Sequence, residues 1–304
     1  MTLSRTARIV NVIAVSIPFI GALAAVVLLW NSAVTWFDLA VATGMYLFGA
    51  FGITIGYHRV LTHGAAQAKP WLRYTLAVMG SSAIQGPVLM WVADHRAHHT
   101  HTDQEGDPHS PHVGGGSGIK GLFHAHMGWL WNENTPAHRP SKQCPDLVKD
   151  KGLVRISKAF PWIALATLAV PFLLGLAYYG TLAGALQTFV WGALVRTFFM
   201  HHVTWSINSI CHFWGYKRFE SDDHSTNNPA LALLSLGESW HHNHHAFPRA
   251  AKMGMRWYEV DISWQVIRLF TKLGWMRKPV VISRERQDAK LIGASAAPAP
   301  VAAD

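Results

Sequence analysis

The sequence predicts an all-α integral membrane protein: four transmembrane helices in two hairpins, with a cytoplasmic helical cap that holds a histidine-rich metal site. Three observations predict it. Half of the 304 residues are hydrophobic and only 14% are charged, against roughly 25% charged in a soluble globular chain. Four apolar runs, 9–30, 36–57, 162–179 and 182–200, come close to the ~20 residues a helix needs to cross a bilayer, and Asn31-Ser32 and Gly180-Thr181 join them in pairs. Outside these runs, histidines gather in groups with helical spacing.

Taken in order, residues 1–8 carry Arg5 and Arg8, and the apolar run that follows is too long for a cleavable signal. The second run is interrupted only by Asp38 near its start. A hairpin returns its ends to one side. Arg5 and Arg8 before it, with Arg59 and Arg73 after it, make that side cytoplasmic by the positive-inside rule, so both termini and the cap are expected there. Residues 72–90 are long enough to cross, but crossing would put His58–His63 and His95–His99 on opposite faces. They are read as a helix packed into the cap or lying at the interface, with Ser81, Ser82 and Gln85 on its polar side; a crossing helix is the alternative. Residues 100–151, rich in Gly and Pro, read as loop with short helices. Pro171 would kink the third span, and Arg196 can snorkel from the fourth.

The cap is thus 58–161 and 201–283, within one domain spanning 1–283. Residues 252–281 mix Trp, Ile and basic side chains, as an interface-lying amphipathic helix or an ordinary packing helix would. Residues 284–304 have no periodicity and are expected to be disordered. The +9 net charge lies in loops and ends without a basic stripe and aromatic platforms, which argues against nucleic-acid binding. Cys144 and Cys211 form no spaced framework. Cys211, beside His212, reads as a ligand or, better, as a small apolar filler, since adjacent positions face different sides of a helix.

On a helix, His241, His244 and His245 stand at i, i+3 and i+4 and share one face, while His242 points elsewhere. His95, His98 and His99 repeat that spacing. His58 and His63 are at i, i+5 and would converge only if the helix ends or unwinds between them. Asn208 and His212 add an i, i+4 pair, the amide more suited to reach a metal through water. Nine imidazoles exceed what one metal takes, so two metals are expected. Iron suits them better than zinc, which closes four-ligand sites and has no redox chemistry.

His58-Arg-Val-Leu-Thr-His63, His95-Arg-Ala-His-His99, Asn208-Ser-Ile-Cys-His212 and Gly237-Glu-Ser-Trp-His-His-Asn-His-His245 resemble the histidine boxes of membrane fatty-acid desaturases, specifically the acyl-CoA delta-9 (stearoyl-CoA desaturase-like) branch. The resemblance runs from about Thr54 to Arg249. It implies two irons, O₂ as co-substrate and a cis double bond placed in a long-chain fatty acyl-CoA. No flavin or nicotinamide motif is visible, so electrons are expected from a separate ferredoxin or cytochrome b5-type protein and its NAD(P)H reductase.

The resemblance also implies that Gln85, Trp91 and Thr204 line the kink of an acyl tunnel, and that Asp94, Arg96 and Trp205 hold the acyl head group. Trp91 and Trp205 also read as plain core aromatics, and Asp94, Arg96 and Glu238 as partners orienting ligand histidines. The tunnel's far end falls around 39–52, where Ala40 and Ala50 are among several small residues. One departure stands out: Trp131-Asn132-Glu133-Asn134 replaces the Arg-Lys pair with which animal members bind CoA phosphates. An acyl carrier protein or a membrane lipid is therefore an alternative acyl donor. Membrane hydroxylases of the alkane-hydroxylase type share three histidine boxes, and a metal transporter or storage protein is the rival of another class. Of the other histidines, His124 and His126 are the nearest candidates for a role.

Overall fold

The computed structural model describes residues 2–30, 33–113, 118–132 and 139–293. Four helical stretches are long and apolar enough to cross a membrane: Arg5–Trp30, Trp36–Thr62, Lys151–Tyr179 and Leu182–His212. Helix α1 is Arg5–Trp30. Helix α2 (Trp36–Phe51) opens on a capping box between Thr35 and Asp38 and runs on as a π-helix over Gly52–Thr62. Two antiparallel residues of β1 (Gln67–Ala68) lead into α3 (Pro70–Ser81) and α4 (Val88–His101). Then come α5 (Gly118–His126), a turn at Gly128–Leu130, and the short α6 (Pro140–Gln143) and α7 (Pro145–Val148). Helices α8 (Lys151–Tyr179) and α9 (Leu182–Phe189) form the second hairpin; α9 passes through a π-turn at Val190–Val195 into α10 (Arg196–Ser209). Helices α11 (His241–Ala246) and α12 (Ile262–Lys272), strand β2 (Met276–Arg277) and α13 (Arg284–Asp288) follow.

Lengths explain where the site lies. The second and fourth stretches have 27 and 31 residues, roughly 40 and 46 Å at ~1.5 Å per residue, against a hydrocarbon core of about 30 Å. They run parallel, and their projecting C-terminal ends carry His58 and Asn208–His212. Spans expected to stop at 57 and 200 are thus continuous helix to 62 and 212. The third begins at Lys151 rather than 162, because the Asp150 carboxylate caps it, accepting from the Gly152 and Leu153 amides. Hydropathy marks only the apolar part of such helices.

The two hairpins are clamped at their other end. Asp38, fully buried, accepts from Thr188 Oγ1 and Gln187 Nε2 at 2.6 Å each and from Tyr179 at 3.0 Å. The charge that breaks the second apolar run is therefore a cross-hairpin tie, with its oxygens satisfied.

Residues 72–90 form no helix long enough to cross a bilayer. They break between α3 and α4, and twelve residues of α3 span only about 18 Å. Helix α3 lies along the π-helix, where a Cβ at Gly52 would fall 2.0 Å from the Gly80 nitrogen. Ser81 and Ser82 face inward, buried; Ser81 Oγ bonds the Tyr57 hydroxyl at 2.7 Å. Two further readings are corrected. Only α12 of 252–281 is helical, and the expected disorder from 284 starts too early: α13 forms, and Leu291 bridges Phe219. Residues 294–304 lie outside the described residues.

Candidate metal centre and adjoining cavity

The π-helix solves the i, i+5 problem. The His63 amide donates to the His58 carbonyl at 3.2 Å, so His63 sits one turn above His58 and their rings lie 4.9 Å apart. Helix α4 presents His95 and His99 to the same point, and α11 presents His244. These five form one group with donor atoms within 4.8 Å of one another. His98 from α4, His212 from the end of the fourth span, and His241 and His245 from α11 form a second. All nine sequence-predicted histidines fall in these two groups, and the groups touch: the His99 and His245 rings are 4.6 Å apart.

Both groups suit metal. His63, His98 and His245 each bury an Nε2 with no partner among the described residues, and an unmet buried polar atom costs about 1–3 kcal/mol. Elsewhere nitrogen faces nitrogen: His58 and His244 Nε2 at 3.1 Å, His99 and His244 at 2.9 Å, His212 and His241 at 3.0 Å. Neutral imidazoles bring lone pairs together there, which a cation between them turns to attraction. Burial, then neighbouring histidines, holds His63, His95, His99, His241, His244 and His245 well below the usual imidazole range, which keeps those rings neutral for ligation.

Carboxylates orient four of the rings. His98, His212 and His245 each direct Nδ1 at Asp107, Asp103 and Asp223, each at 3.0 Å, and His58 directs its Nδ1 at Glu238. A carboxylate on Nδ1 fixes the proton there and leaves Nε2 as the ligand atom. Burial alone would raise Glu238, but His58 and the fully buried Arg59 outweigh it and hold it below the carboxylate range. Arg59 also pairs with Asp261 at 3.0 Å, so a residue read from sequence as a topogenic surface charge is a core ion pair. The three aspartates were not singled out from sequence. Nor was His109, which meets His98 and Asp107; burial, then His98, pushes it down to about 3.

His124 and His126 are not in either group; His126 instead bonds His202 and Ser209, each at 2.9 Å. His242 is fully buried, its ring held between the Phe219 backbone and Ser225. Cys211 is buried apolar filler.

Two cavities flank the metal groups. A small one, about 60 Å³, lies between Tyr46, Ala50 and Ile53 on one side and His58, His95 and His241 on the other. A larger one, about 500 Å³, is lined mainly by α1, α8 and the fourth span. They share Trp91, His95, Thr204 and Asn208, the elbow between them. Trp91 Nε1 donates to Gln85 Oε1 at 3.3 Å, and Gln85 Nε2 donates to Thr204 Oγ1 at 2.8 Å, which fixes the elbow's shape. Gln85, Asp94 and Trp205 line the larger cavity.

Arg96 is a correction. It does not line either cavity; its guanidinium bonds Asp146 and the Leu61 and Thr62 carbonyls, tying α4 to the π-helix. Ala40 is another: it faces outward, whereas Tyr46 and Ala50 line the small cavity. Glu133 and Asn134 lie outside the described residues.

A family model for fatty acid desaturases matches residues 32–275. The chain belongs to that family. The desaturase is 38% identical over 264 residues to a hex-5-enoyl-[acyl-carrier protein] acetylenase of Moorena producens (strain JHB), covering 85% of this chain and 81% of the relative. It is 37% identical over 257 residues to the sn-1 stearoyl-lipid 9-desaturase of Anabaena variabilis, covering 84% and 87%. It is 34% identical over 259 residues to an acyl-CoA C20 delta5-desaturase of Anemone leveillei, covering 84% and 78%.

Proposed function

We propose that the desaturase places a cis double bond at carbon 9, counted from the carbonyl, in saturated acyl chains of about sixteen to eighteen carbons, a position and length implied by the family resemblance. The observation that carries the reading is the pair of cavities: the small one is walled by His58, His95 and His241, histidines of both metal groups, and meets the larger, mostly apolar one at Trp91, His95, Thr204 and Asn208. His58, His63, His95, His99 and His244 would hold one iron and His98, His212, His241 and His245 the other, with Asn208 placed to reach a metal through water. Irons held there would supply the redox chemistry by which O₂ oxidises an unactivated methylene pair. The balance is two adjacent methylenes, O₂, two electrons and two protons giving the alkene and two waters. The electrons come from a separate ferredoxin or cytochrome b5-type protein and its reductase.

The chain's own residues supply position. The Trp91–Gln85–Thr204 hydrogen bonds hold the bend, Tyr46 and Ala50 stop the tail, and Asp94 and Trp205 face the head. We place the site and both termini on the cytoplasmic side, with the 180–181 turn outside; an impermeant thiol reagent should label a cysteine at Thr181 in intact cells.

The test is product analysis by mass spectrometry with iron-loaded enzyme, a reductant and O₂. Sixteen- and eighteen-carbon chains should both give a cis bond at carbon 9. An oxygenated product without alkene overturns the reading in favour of a hydroxylase. A bond at constant distance from the methyl end overturns the assignment of the head-group residues. Ala50→Leu should shift preference to shorter chains without moving the bond.

A further inference from the structure

Relatives of the desaturase carry names that point to three acyl donors: a carrier protein, a lipid and coenzyme A. The larger cavity bears on which one this chain uses. Val10 to Pro18 of α1 form one wall, Phe160, Ala164 and Leu168 of α8 another, and the fourth span the back. All three belong to helices long and apolar enough to cross a membrane. Val10, Ile13 and Ile17 line the cavity and are still 57%, 51% and 49% exposed. Lining side chains this exposed are not covered by a neighbouring helix on their flank.

Packing shows why it is incomplete. Helix α1 rests on the fourth span and on the 128–130 turn, where Asn11 Nδ2 donates to the Leu130 carbonyl at 2.7 Å, and it stands off from α8. From Val10 to Ile17 the opening covers roughly 10 Å along the helix at ~1.5 Å per residue, inside the apolar stretch. Beside Asn11 the lining brings Asp94, His109 and Trp129, while a second polar set, Gln85, His95, Thr204 and Asn208, lies toward the metal groups.

Charge points the same way. No Lys or Arg is among the described residues lining the cavity, and the one carboxylate is Asp94. Coenzyme A and carrier-protein thioesters both bring phosphates, which are gripped by Arg, Lys or helix N-termini. A chain that enters from lipid needs no such grip and exposes none of its methylenes to water.

We propose that the desaturase takes its acyl chain sideways from the bilayer, as one chain of a glycerolipid: the chain slides between α1 and α8 while the head group stays at the interface beside Asn11, Asp94 and Trp129. The proposal rests on the desaturase reading and deepens it by naming the donor.

Two measurements test it. In the first, the iron-loaded enzyme in vesicles, with reductant and O₂, is offered 1-stearoyl-2-oleoyl glycerophospholipid, stearoyl-CoA or a stearoyl carrier protein. New alkene should form in the glycerolipid at least tenfold faster than in either thioester. Alkene confined to a thioester overturns the proposal. The second does not depend on turnover: a glycerophospholipid with a diazirine in its stearoyl chain is photolysed with the enzyme in vesicles and the labelled peptides are sequenced. Label should fall on 10–18 and 160–168, and Ala164→Trp, which fills the slot, should lower it about tenfold while label on the outer faces of α8 persists. Label on the outer faces alone, unchanged by Ala164→Trp, overturns the portal. A failure of every donor to give alkene counts against the desaturase reading, and the labelling still decides the route of entry.

Discussion

The two histidine groups are built from the same residue type by different means. In the four-histidine group, three of four rings lean on carboxylates: His98 on Asp107, His212 on Asp103, His245 on Asp223. In the five-histidine group, among the described residues, only His58 does, on Glu238. The other four are placed by the backbone: the π-helix stacks His63 on His58, α4 carries His95 and His99, and α11 carries His244. One group is therefore oriented by loops, the other by helices already fixed in the core. Loop-borne support can be removed one carboxylate at a time; helix-borne support cannot be removed without unpacking the fold.

The largest effect comes from the ligands themselves. His244→Ala and His241→Ala should each lower turnover at least ~100-fold and reduce bound iron, measured by mass spectrometry of the metal per folded chain. The two should differ in which iron leaves. A His241 variant should keep the five-histidine group loaded, and a His244 variant the four-histidine group. If either empties both, the groups are one cooperative site and the comparison fails. Asn208→Ala should slow turnover while leaving iron content near two per chain.

Next are the carboxylates. Removing a group that orients a ligand histidine typically costs 10–100-fold in metal affinity. Asp223→Asn and Asp103→Asn should lower affinity by that order at the four-histidine group alone, seen as iron falling toward one per chain in a chelator titration. Glu238→Gln should behave differently. It loosens His58 and also leaves the fully buried Arg59 with one acidic partner, Asp261. Breaking a buried pair costs about 3–5 kcal/mol, so this variant should lose thermal stability as well as iron.

This contrast also explains what the sequence disclosed. Spacing of i, i+3, i+4 is a property of the helix itself, so His95, His98, His99 and His241, His244, His245 could be read directly. The apolar runs disclosed the four spans for the same reason. His58 and His63 needed a π-helix, which no local propensity announces, although the requirement that the chain unwind there was visible. Asp103, Asp107 and Asp223 sit in loops without periodicity, 109, 9 and 22 residues from the histidines they hold, so no helical spacing ties any of them to its histidine. Arg96 failed for a related reason: its position beside His95 is local, but its orientation is set by Asp146, fifty residues on. Ala40 and Ala50 look alike in sequence, and only the packing of the first hairpin decides which one faces the cavity.

His242 belongs to neither group but supports both, since α11 serves each. The sequence expects little from its loss; the structure expects more. Its Nε2 lies 2.9 Å from the Phe219 amide and 3.0 Å from the Phe219 carbonyl, and its Nδ1 meets the Ser225 carbonyl at 3.1 Å. Truncation leaves buried backbone groups unmet, at about 1–3 kcal/mol each. His242→Ala should therefore lower the unfolding temperature, with iron per folded chain unchanged. Loss of iron from the folded fraction would mean that His242 is a ligand.

The smallest effect tests a support shared by both groups through pH. Glu259 braces α11 from behind, accepting from Asn243 Nδ2 and the Met255 and Arg256 amides on one oxygen and from the Tyr216 hydroxyl on the other. Burial would raise its pKa, but Arg218 and Tyr216 outweigh burial and hold it below the usual range. A carboxylate whose folded value is depressed contributes stability that is present above its unfolded value, about 4.3, and is lost as pH falls through the folded value. Glu259→Gln should therefore cost about 2 kcal/mol near neutral pH, the scale of hydrogen bonds to a charged group. The gap to the wild type should narrow as pH drops below about 4. Because Asn243 lies between His241 and His244, the variant should loosen both irons alike. Selective loss from one group would show that α11 is not the rigid element joining them.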